Sequence, residues 1–208
     1  MDLASDTYTG PQWQPLPAHA PEFGGPIVKH PTAGGDWYLV NDRAVCRAPG
    51  LVYYAVVPAS ADYVVEADVV AFSGVGATGV AGRIDPTSSN FYYLYIKQGN
   101  GELVLAKMVN GVPTTLDVEV MTFGASEAGT VHRLRLTMAG TSLLGYVNGV
   151  PYVSATDSTH SAIGRGGIRA PAISDTTTGK HVDNLLIWDA TSPPVTAATA
   201  GYARVVGL

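Results

Sequence analysis

Phe91-Tyr92-Tyr93-Leu94-Tyr95-Ile96-Lys97, then Gly99-Asn100-Gly101, then Glu102-Leu103-Val104-Leu105-Ala106-Lys107-Met108-Val109, then Asn110-Gly111: this stretch decides the fold. Its two apolar runs are rich in β-branched and aromatic residues, and they alternate with period 2, the period of a strand. The connections carry Asn and Gly, which adopt the positive φ that a tight hairpin demands. The stretch therefore reads as an antiparallel meander. Alternation turns Tyr92, Leu94 and Ile96 toward a core and leaves Tyr93, Tyr95 and Lys97 on a wet face. Arg83, on the preceding strand, is expected to share that exposed face.

Working outward, the same period holds almost everywhere. About twelve candidate strands follow: 36–47, 51–57, 62–72, 78–85, 91–97, 102–109, 112–122, 130–138, 141–148, 151–156, 165–170 and 180–189. Ala139-Gly140 and Asn148-Gly149 punctuate them as Asn110-Gly111 does, and no window carries a helical i, i+3, i+4, i+7 stripe. Many short strands without helices predict an all-β fold, a two-sheet antiparallel jelly-roll sandwich over 36–189. The ends differ in composition. Residues 1–35, with six prolines between 10 and 35, read as an extended segment leading into the first strand. Residues 190–208 read as a linker, with Ser192-Pro193-Pro194, and a strand-like arm. In that arm Tyr202, Val205, Val206 and Leu208 are the candidates for docking onto a neighbouring subunit.

Composition narrows the function. The 208 residues include 24 Gly, 14 Pro, one Cys and only 14% charged side chains, against about 25% in ordinary soluble domains. The formal charge is −5 and no Lys or Arg cluster occurs, which argues against nucleic-acid binding. No apolar run is long enough to span a bilayer as a helix. Met1 to Asp6 shows neither the basic nor the apolar region of a secretion signal. The single cysteine, Cys46, excludes an intramolecular disulfide and suggests assembly in a reducing cytoplasm, as a small buried residue on a strand.

Several motifs suggest chemistry. Gly74-Val75-Gly76-Ala77-Thr78-Gly79 matches the dinucleotide-binding fingerprint letter for letter, but strand-like residues follow it where a helix is required. Glu66/Asp68 and Asp117/Glu119 place paired carboxylates on one strand face, with Cα atoms about 7 Å apart. That permits the separation of about 5 Å used by retaining glycosidases, although each pair lacks a third carboxylate. Gly124-Ala125-Ser126-Glu127-Ala128 misses the nucleophile-elbow pattern at its last position. His19, His30, His132, His160 and His181 show no metal-ligand spacing. Asp6, Asp157, Asp183 and Asp189 lie near strand ends, where a calcium site would draw its ligands. No metal and no cofactor is expected. Arg83, Tyr93 and Tyr95 are the carbohydrate-binding candidates, because a sugar ring has an apolar face to stack and a polar rim to hydrogen-bond. The alternative is that they stabilise a wet sheet through cross-strand pairing.

The chain also resembles a known superfamily. Gly79-Val80-Ala81-Gly82-Arg83-Ile84-Asp85, Asn90-Phe91-Tyr92-Tyr93-Leu94, His132-Arg133-Leu134-Arg135-Leu136, Gly145-Tyr146-Val147-Asn148-Gly149 and Val182-Asp183-Asn184 look like successive strands of the concanavalin A-like lectin/glucanase domain. Asp6-Thr7-Tyr8-Thr9 with Ala18-His19-Ala20-Pro21 is similar to versions of that domain in tailed-phage structural proteins. The resemblance covers about residues 6–189. It implies two curved sheets, one of which often binds carbohydrate. The expected protein is then a non-enzymatic virion component made in the host cytoplasm: a capsid decoration or minor capsid protein, or a tail appendage. Its partners would be other virion proteins, further copies of itself in a homo-oligomer, and host surface glycans. The alternatives are a host-glycan-binding adsorption protein and, further off, a glycoside hydrolase.

Overall fold

The computed structural model describes residues 2–71, 76–97, 101–121, 130–171 and 180–190. Fifteen strands run through them: β1 (Asp2–Asp6), β2 (Ile27–Lys29), β3 (Asp36–Leu39), β4 (Ala44–Ala48), β5 (Gly50–Tyr54), β6 (Tyr63–Ala71), β7 (Ala77–Ile84), β8 (Phe91–Lys97), β9 (Glu102–Val109), β10 (Val112–Val120), β11 (Val131–Ala139), β12 (Ser142–Val147), β13 (Val150–Thr156), β14 (Arg165–Ala170) and β15 (Lys180–Asp189). A single 3-10 turn, Leu16–Ala18, is the helical element among the described residues. No helix there is long and apolar enough to cross a membrane.

The strands form two antiparallel sheets, as the period-2 pattern predicts. One sheet has the order β13-β12-β11-β6-β15-β4-β3, with β1 also pairing to β15; the other has β10-β9-β8-β7-β14-β5-β2. Between them lies one core, to which β6 contributes Tyr63, Val65, Ala67 and Val69, and β8 contributes Tyr92, Leu94 and Ile96. Each of these side chains larger than alanine stabilises the fold by about 1.5–3 kcal/mol through burial alone. The Asn110-Gly111 and Asn148-Gly149 hairpins take positive φ at both residues (50° and 82°, 51° and 83°), the backbone twist that matches a two-residue turn.

Three features depart from the sequence reading. Residues 1–35 are more than an extended lead into the first strand: they carry two strands, β1 and β2, one in each sheet. The run 36–47 is a hairpin rather than one strand: Asn41 and Asp42, both at positive φ (51° and 54°), turn the chain between β3 and β4. Finally, the face of the seven-stranded sheet that points away from the core is not wet. Leu51, Ile84, Phe91, Tyr93 and Val104 are all buried there in a second apolar cluster. Residues 30–35 form part of its cover. Leu51 donates its N–H to Ala33 O at 2.8 Å. The buried His30 ring lies between Nε2, which donates to Asp85 O at 2.8 Å, and Nδ1, which accepts the N–H groups of Thr32 and Ala33.

Candidate functional site

On that outer face Tyr93 and Tyr95 project from β8 side by side. Their rings stack with centroids 5.2 Å apart and planes inclined by 14°, and Phe91 meets Tyr93 edge-on at 5.6 Å. Tyr93 is buried and Tyr95 half-buried. Burial pushes the Tyr93 hydroxyl up to about 12. The pair is thus where alternation placed it, but more enclosed.

Arg83 is not with them. It has a positive φ (48°), and β7 bulges at this point: Ala81 pairs with Gly167 and Ile84 with Arg165, so that Gly82 and Arg83 together face one residue, Gly166. A bulge breaks alternation and re-aims a side chain. Arg83 therefore turns inward, 3% exposed, with its guanidinium 6.0 Å from the Tyr92 ring centroid. Its Nε, Nη1 and Nη2 donate to Ala61 O, His160 O and Gly140 O at 2.9, 3.0 and 2.8 Å. The expectation that Arg83 joins an exposed sugar platform is corrected: it ties loops together at the margin of the core.

The cation beside the tyrosines is Arg169 of β14. It pairs in register with Gly79, whose other neighbour is Tyr95, so no side chain stands between them on this face. Burial lowers the Arg169 pKa, and Tyr93 and Tyr95 partly offset that. Nη1 donates to Ala170 O, while Nε is buried with no acceptor. Among the described residues no carboxylate lies within ion-pair distance of this guanidinium. Alongside runs an open groove of about 260 Å³ lined by Thr32, Ala33, Gly34, Pro49, Ser89, Met108, Gly111 and Arg169. The sequence holds no sign of Arg169, because its significance arises from what the 30–35 segment and the neighbouring strands place around it.

The eight-stranded sheet presents the opposite electrostatic situation. Glu66 Oε1 accepts from Arg133 Nε at 2.9 Å and Oε2 from Arg135 Nε at 2.5 Å. Asp68 Oδ1 accepts from Arg133 Nη1 at 3.0 Å and Oδ2 from Asn184 Nδ2 at 2.8 Å. Arg135 lies between two rings, 5.6 Å from the centroids of both Tyr146 and Trp188. Glu66 and Asp68 do share a face, as expected, but all four of their oxygens already accept charge-assisted hydrogen bonds. The other pair keeps its shared face too, since the register runs unbroken from Asp117 to Val120 past a bulge between Thr115 and Asp117; Asp117 accepts the Ser154 N–H at 2.8 Å across the sandwich edge, and Glu119 is exposed.

Asp183 stands in register opposite Asp68. Burial, and then the Asp68 and Asp42 charges, push its carboxyl up to about 6, against the Asn184 N–H and Arg43. A carboxyl with a higher pKa folded than unfolded resists ionisation in the fold. Its penalty is absent below the ordinary 3.8 and complete above about 6. Asp183→Asn is accordingly expected to be more stable than wild type at pH 7 by about 1–2 kcal/mol after allowance for solvent screening, with the gain vanishing near pH 4. Melting curves of both proteins between pH 4 and 8 check this; a gain independent of pH would contradict it.

Asp6 accepts from Tyr8 N–H and Tyr54 Oη at 2.8 Å each and lies 2.9 Å from His19 Nε2, pinning the N-terminal segment. Asp157 accepts from Lys107 Nζ and Tyr92 Oη, both at 2.6 Å. Those bonds, set against burial, hold its carboxyl well below the usual range. No group of three or more His, Cys, Asp or Glu side chains among the described residues is arranged around a common point for a metal. Cys46 is buried in β4, and burial pushes its thiol up to about 12. The fingerprint-like glycines end in strand β7 rather than a helix. Residues 124–128 and the arm candidates Tyr202, Val205, Val206 and Leu208 lie outside the described residues.

No family model matches this chain, and no curated protein does. Solved structures do. Carbohydrate-binding module CBM66 from Bacillus subtilis superposes with a TM-score of 0.60 at 16% identity, over 77% of this chain and 89% of that one. Galectin LEC-6 from Caenorhabditis elegans gives 0.51 at 15%, over 69% and 93%. A Bacillus licheniformis β-glucanase gives 0.54 at 11%, over 89% and 96%. The chain thus has the jelly-roll sandwich fold of the lectin/glucanase type.

Proposed function

We propose that this chain is a non-enzymatic, glycan-binding domain of a tailed-phage virion protein. The observation that carries the binding reading is Arg169: a half-buried cation with no carboxylate partner among the described residues, next to the stacked Tyr93 and Tyr95 and opening on a groove. Groups that serve only the fold have their hydrogen-bonding capacity consumed inside it, as Glu66 and Asp68 do; an unspent donor beside aromatic rings suits a ligand. The carbohydrate-binding module and the galectin among the structures of similar fold are in keeping with this.

The same contrast supports a non-enzymatic role. A general acid or base must exchange a proton with substrate, whereas Glu66 and Asp68 are engaged by Arg133, Arg135 and Asn184 on every oxygen. The virion setting, as capsid decoration, minor capsid protein or tail appendage, rests on the sequence resemblance. It gains support from the edge strand β10, where Val112, Val118 and Val120 are 63%, 46% and 75% exposed, a surface that invites a neighbouring chain. An adsorption protein for host glycans is the second reading, favoured by the same Arg169 groove.

A glycan array with the intact chain tests the binding reading. Signal above background is expected, and Tyr95→Ala, with an unchanged melting temperature, is expected to weaken it about tenfold, the worth of one stacking contact. An empty array removes the reading. Absence of the chain from purified particles of the source phage, by mass spectrometry, removes the virion setting.

A further inference from the structure

We infer that the groove beside Arg169 takes the carboxylate of an acidic sugar, a deepening that rests on the glycan-binding reading above. Four observations converge. Arg169 is held among apolar and aromatic neighbours, and among the described residues no acidic side chain stands in ion-pair reach to compensate its charge. Its Nε is buried without an acceptor, although Nη1 is occupied by Ala170 O. The groove lining contains no Asp or Glu and one Arg, which makes it net positive in a protein whose formal charge is −5. Hydroxyls are at hand: Thr32 Oγ1 and Ser89 Oγ, 2.8 Å apart, bridge the 30–35 segment to the turn after β7.

The chemistry follows from the donors. A guanidinium offers a planar fork of N–H groups that a carboxylate matches with two parallel charge-assisted hydrogen bonds. A buried cation without a counter-ion is costly, and a ligand anion supplies the missing partner. A neutral hydroxyl could accept one bond but would leave the charge uncompensated. Pro49 and Met108 in the lining offer an apolar surface for the sugar ring that carries the acid, while Thr32 and Ser89 hydroxyls suit its polar rim.

The test is titration calorimetry of the intact chain with galacturonate, glucuronate and N-acetylneuraminate, each against its own methyl ester, which keeps the ring and removes the charge. At least one acid is expected to bind ten-fold or more tightly than its ester. That preference is expected to weaken as salt rises and to disappear in Arg169→Gln. Arg169→Lys, which keeps charge but loses the fork, is expected to retain part of it. If every ester binds as well as its acid, or Arg169→Gln keeps the preference, the inference is overturned. The ester comparison needs no variant, so it holds even where Arg169→Gln fails to fold. Neutral glycans bound on the array without any acid preference would sink this inference alone. No binding of any glycan, neutral or acidic, would sink the glycan-binding reading with it.

Discussion

Arg83→Met is expected to destabilise the protein by about 3–5 kcal/mol, the cost of breaking a buried charged network from one side. The guanidinium, whose side chain is 1% exposed, gathers three backbone carbonyls from three separate segments: Ala61 before β6, Gly140 in the β11–β12 turn and His160 after β13. Asp62 Oδ1 lies 3.4 Å from Nη2 and accepts the Gly140 N–H at 2.8 Å. The backbone joins the same knot, since Arg83 N–H donates to Tyr63 Oη, which in turn donates to Arg165 O. Methionine fills a similar volume but strands all three carbonyls away from water. Arg83→Lys is expected to recover little, because one ammonium on a flexible stem cannot span three acceptors that a planar fork reaches together. Equilibrium urea denaturation of both variants checks this, and a loss under 1 kcal/mol would show that those carbonyls find water instead.

Gly50→Ala is expected to cost about 3 kcal/mol or more, at the upper end for overpacking, because the obstacle is backbone. A Cβ at residue 50 would sit 1.7 Å from Gly35 N and 2.2 Å from Gly35 Cα. The converse is equally closed: a Cβ on Gly35 would meet Ala48 O at 1.9 Å. Glycine at both positions lets the 30–35 segment lie directly on the start of β5, and that segment forms one wall of the Arg169 groove. Gly50→Ala should therefore also expose Tyr93, read as faster proteolysis within 30–35. Gly111→Ala is the control. It meets nothing within 4 Å but has φ +82°, so it should cost only about 1 kcal/mol, the penalty of the left-handed region. Equal losses at the two sites would mean that the close approach at Gly50 is not what excludes a side chain.

Where local chemistry is sufficient, the sequence was a good guide. The strands from β6 to β15 follow from period-2 runs and Asn-Gly turns, since side chains on a strand must alternate and those turns need residues at ease with positive φ. The β3–β4 hairpin escaped notice because Asn41-Asp42 lacks a glycine, although both residues tolerate that conformation. The short β1 and β2 escaped because five and three residues are too few to show a period.

The site was only half legible. Tyr93 and Tyr95 could be paired from spacing alone, since i and i+2 always share a strand face. Arg83 is not placed by alternation, because a single bulge in β7 reverses it. Arg169 was invisible for a different reason. A lone Arg on a strand acquires meaning only when its neighbours are known, and those come from the 30–35 segment, β7, β8 and β14. By itself, then, the sequence of this protein determined the two-sheet sandwich and the direction of most side chains, because these depend on neighbours along the chain. Tertiary structure alone decided which charges are consumed and which remain unspent, because ion pairing depends on distances between strands far apart in sequence. That difference separates Glu66 and Asp68, fully engaged with Arg133, Arg135 and Asn184, from Arg169.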